Sequence, residues 1–168
     1  MVDPAAEFWR FSLAVYGRPG VAPACLALQD RLGLDVNLLL FCCWAGVRGH
    51  RLAPAELATA SAAAAPWQRE IVEPLRRIRR QLAAPAALSA ADAAILYDQA
   101  RQLELAAEEA EQRLLAAAVR LVPQEVDDDR QAADTAANLQ LYLGLVDGAA
   151  DEAAARALAA VAAGCRPA

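Results

Sequence analysis

All-α is the fold class that this sequence predicts: a compact multi-helix domain of six to eight helices packed around one buried central helix. Three observations carry it. Alanine, the strongest helix former, fills 45 of the 168 positions. No run alternates Val, Ile and Thr with polar residues as a strand does. The segment "VNLLLFCCWAGV", Val36 to Val47, is apolar on nearly every helical face, and a helix without a polar stripe is one enclosed by neighbours.

The first helix opens with Asp3 as N-cap and Pro4 at its first position, where a missing N–H does no harm. Phe8, Phe11 and Val15 supply its apolar face, joined by Trp9 and Leu13, and Gly17, Pro19 and Gly20 end it in a turn. A second helix, about Val21 to Leu32, carries Cys25, Leu28 and Leu32 at helical spacing, and Gly33 suits the left-handed position after it. Asp35 then caps the central helix, its carboxylate accepting from Asn37 or Leu38 N–H and facing the positive end of the helix dipole. Twelve residues span roughly 18 Å at 1.5 Å per residue, too short to cross a bilayer, so no membrane insertion is expected.

A short helix starts at Pro54, with Glu56 in its first turn. In "PWQREIVEPLRRIRRQL", Trp67, Ile71, Leu75, Ile78 and Leu82 recur every three or four residues and form an inward stripe, which Pro74 should kink or divide. "APAALSA" reads as a linker, with Ser89 and Asp92 set as a capping box using the shorter acid. The longest periodic segment runs from Ala90 to about Leu121, with Leu96, Leu103, Ala110 and Ala117 at sevens, Leu114 and Leu121 beside them, and Ala106 and Ala107 keeping part of that face small. Pro123 ends it, and helices over Asp128–Val146 and Asp151–Ala163 follow. The chain therefore reads as a single domain, 1–168. A core-helix cluster occupies 1–84, and a long antiparallel pair, Ala90–Leu121 with Asp128–Val146, plus a short C-terminal helix occupy 89–163.

The formal charge of −5 disfavours nucleic acid and anionic membranes as partners. The N-terminus lacks a basic segment followed by an apolar one, so no secretory signal is read. The cysteines, Cys25, Cys42, Cys43 and Cys165, form no C-x-x-C, which fits a reducing cytoplasm. Adjacent Cys42 and Cys43 point about 100° apart on a helix and read as small core hydrophobes.

His50, the lone histidine, follows Gly49 just past the central helix and reads as a loop or capping residue. Glu104, Glu108 and Glu111 stand at i, i+4 and i+7, the spacing with which helices assemble di-metal sites. The Glu-x-x-His partners of such sites are missing, however, and the three read as solvated charges beside Arg101 and Arg113. No metal, no cofactor and no catalytic constellation is read: the chain has no Gly-rich phosphate loop, no serine elbow and no Cys–His pair. That leaves the enzyme question open, with the sequence pointing away from one.

Five arginines against two acids between Pro66 and Leu82 make the strongest local charge, and nine acids against three arginines from Glu104 to Asp134 oppose it. On a regular helix Arg69, Arg76 and Arg80 share one face, with Arg77 beside them, opposite the apolar stripe. Either this stripe is solvated or pairs with the acidic segment inside the fold, or its guanidinium forks dock a carboxylate- or phosphate-bearing partner.

Read together, "FWRFSLAVYGRPGV", "LQDRLGLDVNLLLFCCW" and "WQREIVEPLRRIRRQL" resemble a family of small bacterial proteins, chiefly proteobacterial, catalogued as a domain of unknown function. The family shows a Phe-Trp-x-Phe-Ser-Leu opening, a Gln-Asp-x-x-Gly-x-Asp-Val-Asn-Leu-Leu-Leu block and a Trp then Pro-Leu-Arg-x-x-Arg-Arg block, and the likeness is good over roughly residues 7 to 82. It implies a bacterial, cytoplasmic protein and supplies no catalytic residue.

The leading functional expectation is a non-catalytic interaction or adaptor domain, bound to another protein or to a second copy of itself through Arg69, Arg76, Arg77 and Arg80. One alternative is a small-ligand-binding protein or unrecognised enzyme, with a pocket near Trp9, Tyr16, Asp30 and Asn37 beside the central helix. Another is weak binding of anionic nucleic acid or lipid through the arginine stripe.

Overall fold

The computed structural model describes residues 3–84, 89–146 and 151–166, and the linker read at 84–90 falls largely outside them. Among the described residues there is no strand. The helices are α1 (Pro4–Tyr16), α2 (Val21–Leu32), α3 (Val36–Val47), α4 (Pro54–Trp67), α5 (Glu73–Leu82), α6 (Ala90–Ala118), α7 (Asp128–Leu143) and α8 (Glu152–Gly164). A π-helical turn, Gln68–Val72, joins α4 to α5, so 54–82 is one continuous rod. The protein is all-α, as its composition requires.

Local chemistry sets the helix ends. Asp3 Oδ1 accepts from Ala5 N–H at 3.0 Å with Pro4 next in line, and Gly33 closes α2 at a φ of +66°, which costs a residue without a Cβ little. Asp35 Oδ1 accepts from Asn37 N–H at 2.8 Å and Leu38 N–H at 3.4 Å. From Asn37 to Gly46 every residue of α3 is buried, and the expected central helix is the axis of the core. Phe8 of α1 stacks on Trp44 with ring centroids 5.0 Å apart and packs edge-on to Phe41, while the Arg48 guanidinium lies over the Trp44 ring, 5.0 Å from its centroid.

Helix α7 lies against α3 at very close range. A Cβ built on Gly46 would come within 2.5 Å of Thr135 N and closer still to its Cα and Oγ1. Asn138, fully buried on α7, then ties down the connection that leaves α3. Its Oδ1 accepts from Leu52 N–H at 2.8 Å, and its Nδ2 donates to the carbonyls of Cys42 and His50 at 3.2 and 3.0 Å. His50 itself sets Nε2 3.1 Å from Oε1 of Glu56 in the first turn of α4. The four cysteines are free and buried, as small core residues; burial pushes the Cys25 thiol up to about 12 and raises Cys42 as well.

A long antiparallel pair is present, but its members differ from those the periodicity predicts. The rod 54–82 packs along α6, whereas α7 packs on α3 and α8. The reason lies after α6. The chain leaves the helix at Val119 in an extended conformation, and Gln124 N–H donates to Arg48 O at 2.9 Å. Gly49, at a φ of +69°, sits against Val126, where a Cβ would meet the Val126 side chain at 2.7 Å. This route carries the chain to the end of α3 instead of folding it back on α6.

Candidate functional site

The site is built by the π turn. Pro74 has no N–H to donate to the carbonyl four residues back, and its ring crowds that carbonyl. The helix absorbs this with one extra residue in the turn before it, and Glu73 N–H donates to Gln68 O, five residues back. One inserted residue rotates everything beyond it by about 100° relative to the upstream face. The inward positions therefore move from Ile71, Leu75 and Ile78 to Val72, Arg76 and Arg79. Val72 is fully buried, while Ile71 and Ile78 are 36% and 47% exposed, which corrects the apolar stripe read from the sequence.

The same rotation dissolves the expected arginine face. Arg76 turns into the protein and donates from Nε to Glu104 Oε1 at 3.2 Å, from Nη2 to Glu108 Oε1 at 3.0 Å, and from Nη1 to Gln29 Oε1 at 2.7 Å. Arg79, which the sequence reading passed over, closes on the Glu104 carboxylate beside it through Nε and Nη2. Arg69 remains outside, 2.9 Å from exposed Glu70. Arg80 reaches exposed Asp30 at 3.5 Å, and Arg77 is exposed. Burial pulls the Arg76 guanidinium down, but Glu108 and Glu104 outweigh it and hold it charged.

Helix α6 presents the opposite half. Its buried stripe is Ala93, Ala100, Glu104, Ala107, Glu111, Gln112 and Leu115, and the heptad leucines Leu96 and Leu103, with Leu114 beside them, face solvent. Glu104 and Glu111 are thus interior, not solvated charges. Small Ala100 and Ala107 let the 54–82 rod approach, and Trp67 Nε1 donates directly to Ala107 O at 2.9 Å. A hydrophobicity period counts glutamate as outward. Here two guanidinium groups satisfy Glu104, which makes its burial tolerable.

Above Glu104 the polar contacts continue into the core. Asn37 Nδ2 donates to Glu111 Oε2 at 2.7 Å, and Gln112 Nε2 donates to Asn37 Oδ1 at 2.9 Å. Burial first, then the neighbouring Asp35 carboxylate, push the Glu111 carboxyl up to about 10. As a carboxylate it would leave Oε1 without a partner. As an acid it can donate to the neighbouring Asp35 carboxylate instead of repelling it. Asp35 also orders Tyr142, whose hydroxyl accepts from Asp35 N–H at 2.9 Å. Glu108 is raised as well, burial exceeding the relief from Arg76.

Between α1, α2, α3, α5 and α6 this polar wall borders an open cavity of about 250 Å³. Trp9, Leu13, Tyr16, Leu26 and Leu105 form its apolar side, with Leu13, Leu26 and Leu105 exposed around the mouth. Ser12, Asn37, Glu108 and Gln112 form the polar side, and Arg76, Arg79, Arg80 and Arg101 crowd one end. Of the residues read as a pocket, the fold brings Trp9, Tyr16 and Asn37 together here. Asp30 lies in an adjoining groove with Arg77 and Arg80. Ser12 Oγ and Gln112 Oε1 are buried without a hydrogen-bond partner.

Sequence reasoning missed Ser12, Arg79, Arg101, Leu105 and Gln112. A signal existed only for Ser12, which stands four residues after Phe8 on the inward face of α1. Among the described residues, no group of three or more His, Cys, Asp or Glu side chains is arranged to hold a metal ion. No single helix there is long and apolar enough to cross a membrane.

A family model described as "Protein of unknown function (DUF2390)" matches residues 7–115. The match covers well over half of the chain, which belongs to this family. No curated protein and no solved structure matches it.

Proposed function

We propose that this DUF2390 member is a small-ligand-binding protein whose site is the cavity beside α3. One observation carries the reading. Two polar atoms in the cavity wall, Ser12 Oγ and Gln112 Oε1, are buried and unpartnered, although leaving such a group unsatisfied costs about 1–3 kcal/mol. A cavity that is part apolar with a few convergent polar groups is the usual form of a ligand site. Every residue lining it falls within the matched segment 7–115. The role is binding, and no residue is assigned to catalysis.

The test is a screen of fragments of about a dozen heavy atoms, read at the Trp9 indole N–H by NMR. Leu105→Trp, at the exposed mouth, serves as the blocking variant. Hits that shift Trp9 and vanish in Leu105→Trp, with an unchanged melting curve, support the reading. A screen without Trp9 shifts, or hits that persist in the blocked variant, overturns it.

A second reading, an interaction or adaptor role, is favoured by the outer flank of the antiparallel pair. Ile71 and Ile78 each sit one residue before an inward position of the rod, and Leu103 and Leu114 one residue before Glu104 and Leu115. In an antiparallel pair such positions share one side, and all four side chains are exposed. The partner is another protein or a second copy of this chain. A sedimentation coefficient that rises with concentration for wild type and not for Leu103→Glu supports self-association, and capture of a partner by wild type alone supports the other arm. A monomer with no retained partner removes this reading. We place the protein in the cytoplasm, a compartment with which four free buried thiols accord.

A further inference from the structure

Resting on the binding reading, the geometry points to a particular ligand class: a small amphiphilic oxyanion, its head at the arginine end of the cavity and its apolar body against the side chains beyond it. The direction comes from α6, which runs along the cavity from Arg101 past Leu105 and Glu108 to Gln112. Arg101 and Gln112 stand eleven residues, about 16 Å, apart on that helix, so a ligand of one ring and a short chain lies toward the arginine end.

The arginine end carries charge that the protein leaves uncommitted. Arg76 and Arg79 are spent on Glu104 and Glu108. Arg101 makes no ion pair among the described residues, and Arg80 has only exposed Asp30, at 3.5 Å. Both guanidiniums border a space already flanked by apolar Leu26 and Leu105, where water screens a charge pair less than it does on open surface. Their planar forks match a carboxylate or a phosphate.

Between the ends, Leu13, Tyr16 and Leu105 suit a flat apolar body. At about 250 Å³ the cavity takes a small ligand, such as one of a ring and a short chain.

The experiment measures affinities of p-hydroxyphenylpropionate, the corresponding alcohol, the corresponding amine, phenylpropionate without the hydroxyl, and phenylpropyl phosphate. It uses the full chain, by calorimetry, with Arg101→Gln and Arg80→Gln as variants at exposed positions. The acid is expected to bind at least about tenfold tighter than the alcohol or amine, the gain typical of a charge-assisted pair. Loss of the ring hydroxyl changes the acid's affinity less than loss of the carboxylate, and Arg101→Gln removes the preference for acid while leaving the alcohol unchanged. The phosphate arm tells which oxyanion fits the forks.

An alcohol or amine equal to the acid, or an acid preference that survives both variants, overturns the assignment. If none of these compounds binds while other fragments shift Trp9 and are blocked by Leu105→Trp, the ligand class falls and the binding reading stands. If nothing binds in either experiment, both fall.

Discussion

Replacing Glu111 with glutamine asks whether this interior side chain is an acid at neutral pH. In the folded protein its carboxyl titrates near about 10, against an ordinary value of 4.5, because burial and Asp35 oppose its ionisation. Below about pH 4.5 both the folded and unfolded states hold the proton, and the side chain adds no pH dependence. Above it the unfolded chain releases a proton that the folded chain keeps, so stability falls as pH rises toward about 10. The slope for one proton is at most about 1.4 kcal/mol per pH unit. From about pH 5.5 to about pH 8.5, wild type should therefore lose up to about 4 kcal/mol more than Glu111→Gln. The glutamine copies the neutral acid, since Oε1 accepts from Asn37 Nδ2 and Nε2 donates to Asp35. Urea unfolding of both proteins across this range measures the difference, in which every other titrating group cancels. Curves that stay parallel at all pH values would refute the reasoning, because they would mean that Glu111 is ionised in the fold and held by groups other than Asp35.

Gly46→Ala should destabilise by about 1–3 kcal/mol, since the new methyl meets Thr135 backbone atoms and must force α3 and α7 apart; chemical denaturation measures the loss. Arg76→Ala should cost about 2–3 kcal/mol by leaving half-buried Glu108 without its counter-charge, whereas Arg69→Ala should fall within about 0.5 kcal/mol. Equal losses from the two variants would restore the uniform arginine face that the π turn breaks. Ellman's reagent near neutral pH should label none of the four cysteines until denaturant is added, because all are buried and burial holds the Cys25 thiol up near about 12.

Much of this molecule follows from its residues taken a few at a time. A capping carboxylate needs only the two or three N–H groups that follow it, so Asp3 and Asp35 mark the starts of α1 and α3 in any context. An all-round apolar helix has nowhere to go but the interior, so Val36–Val47 is legible as the core axis. Helix propensity summed over an alanine-rich chain decides the class. Asn37 could be placed at that axis because it stands in its first turn.

The orientation of the longer helices was decided elsewhere. The phase of α5 depends on where the extra residue required by Pro74 is absorbed, and a single-residue shift exchanges Ile71 and Ile78 for Val72 and Arg79 at the interface. The face of α6 depends on Arg76 and Arg79 arriving from 28 and 25 residues away to neutralise Glu104; without them the glutamates would belong outside and Leu96 and Leu103 inside. The partner of α6 was set by the extended segment that docks Gln124 on Arg48. Caps and burial tendency are properties of a few consecutive residues, and sequence alone determines them. Which charged side chain is affordable in the interior is a property of pairs brought together from distant segments, and only the tertiary structure decides it.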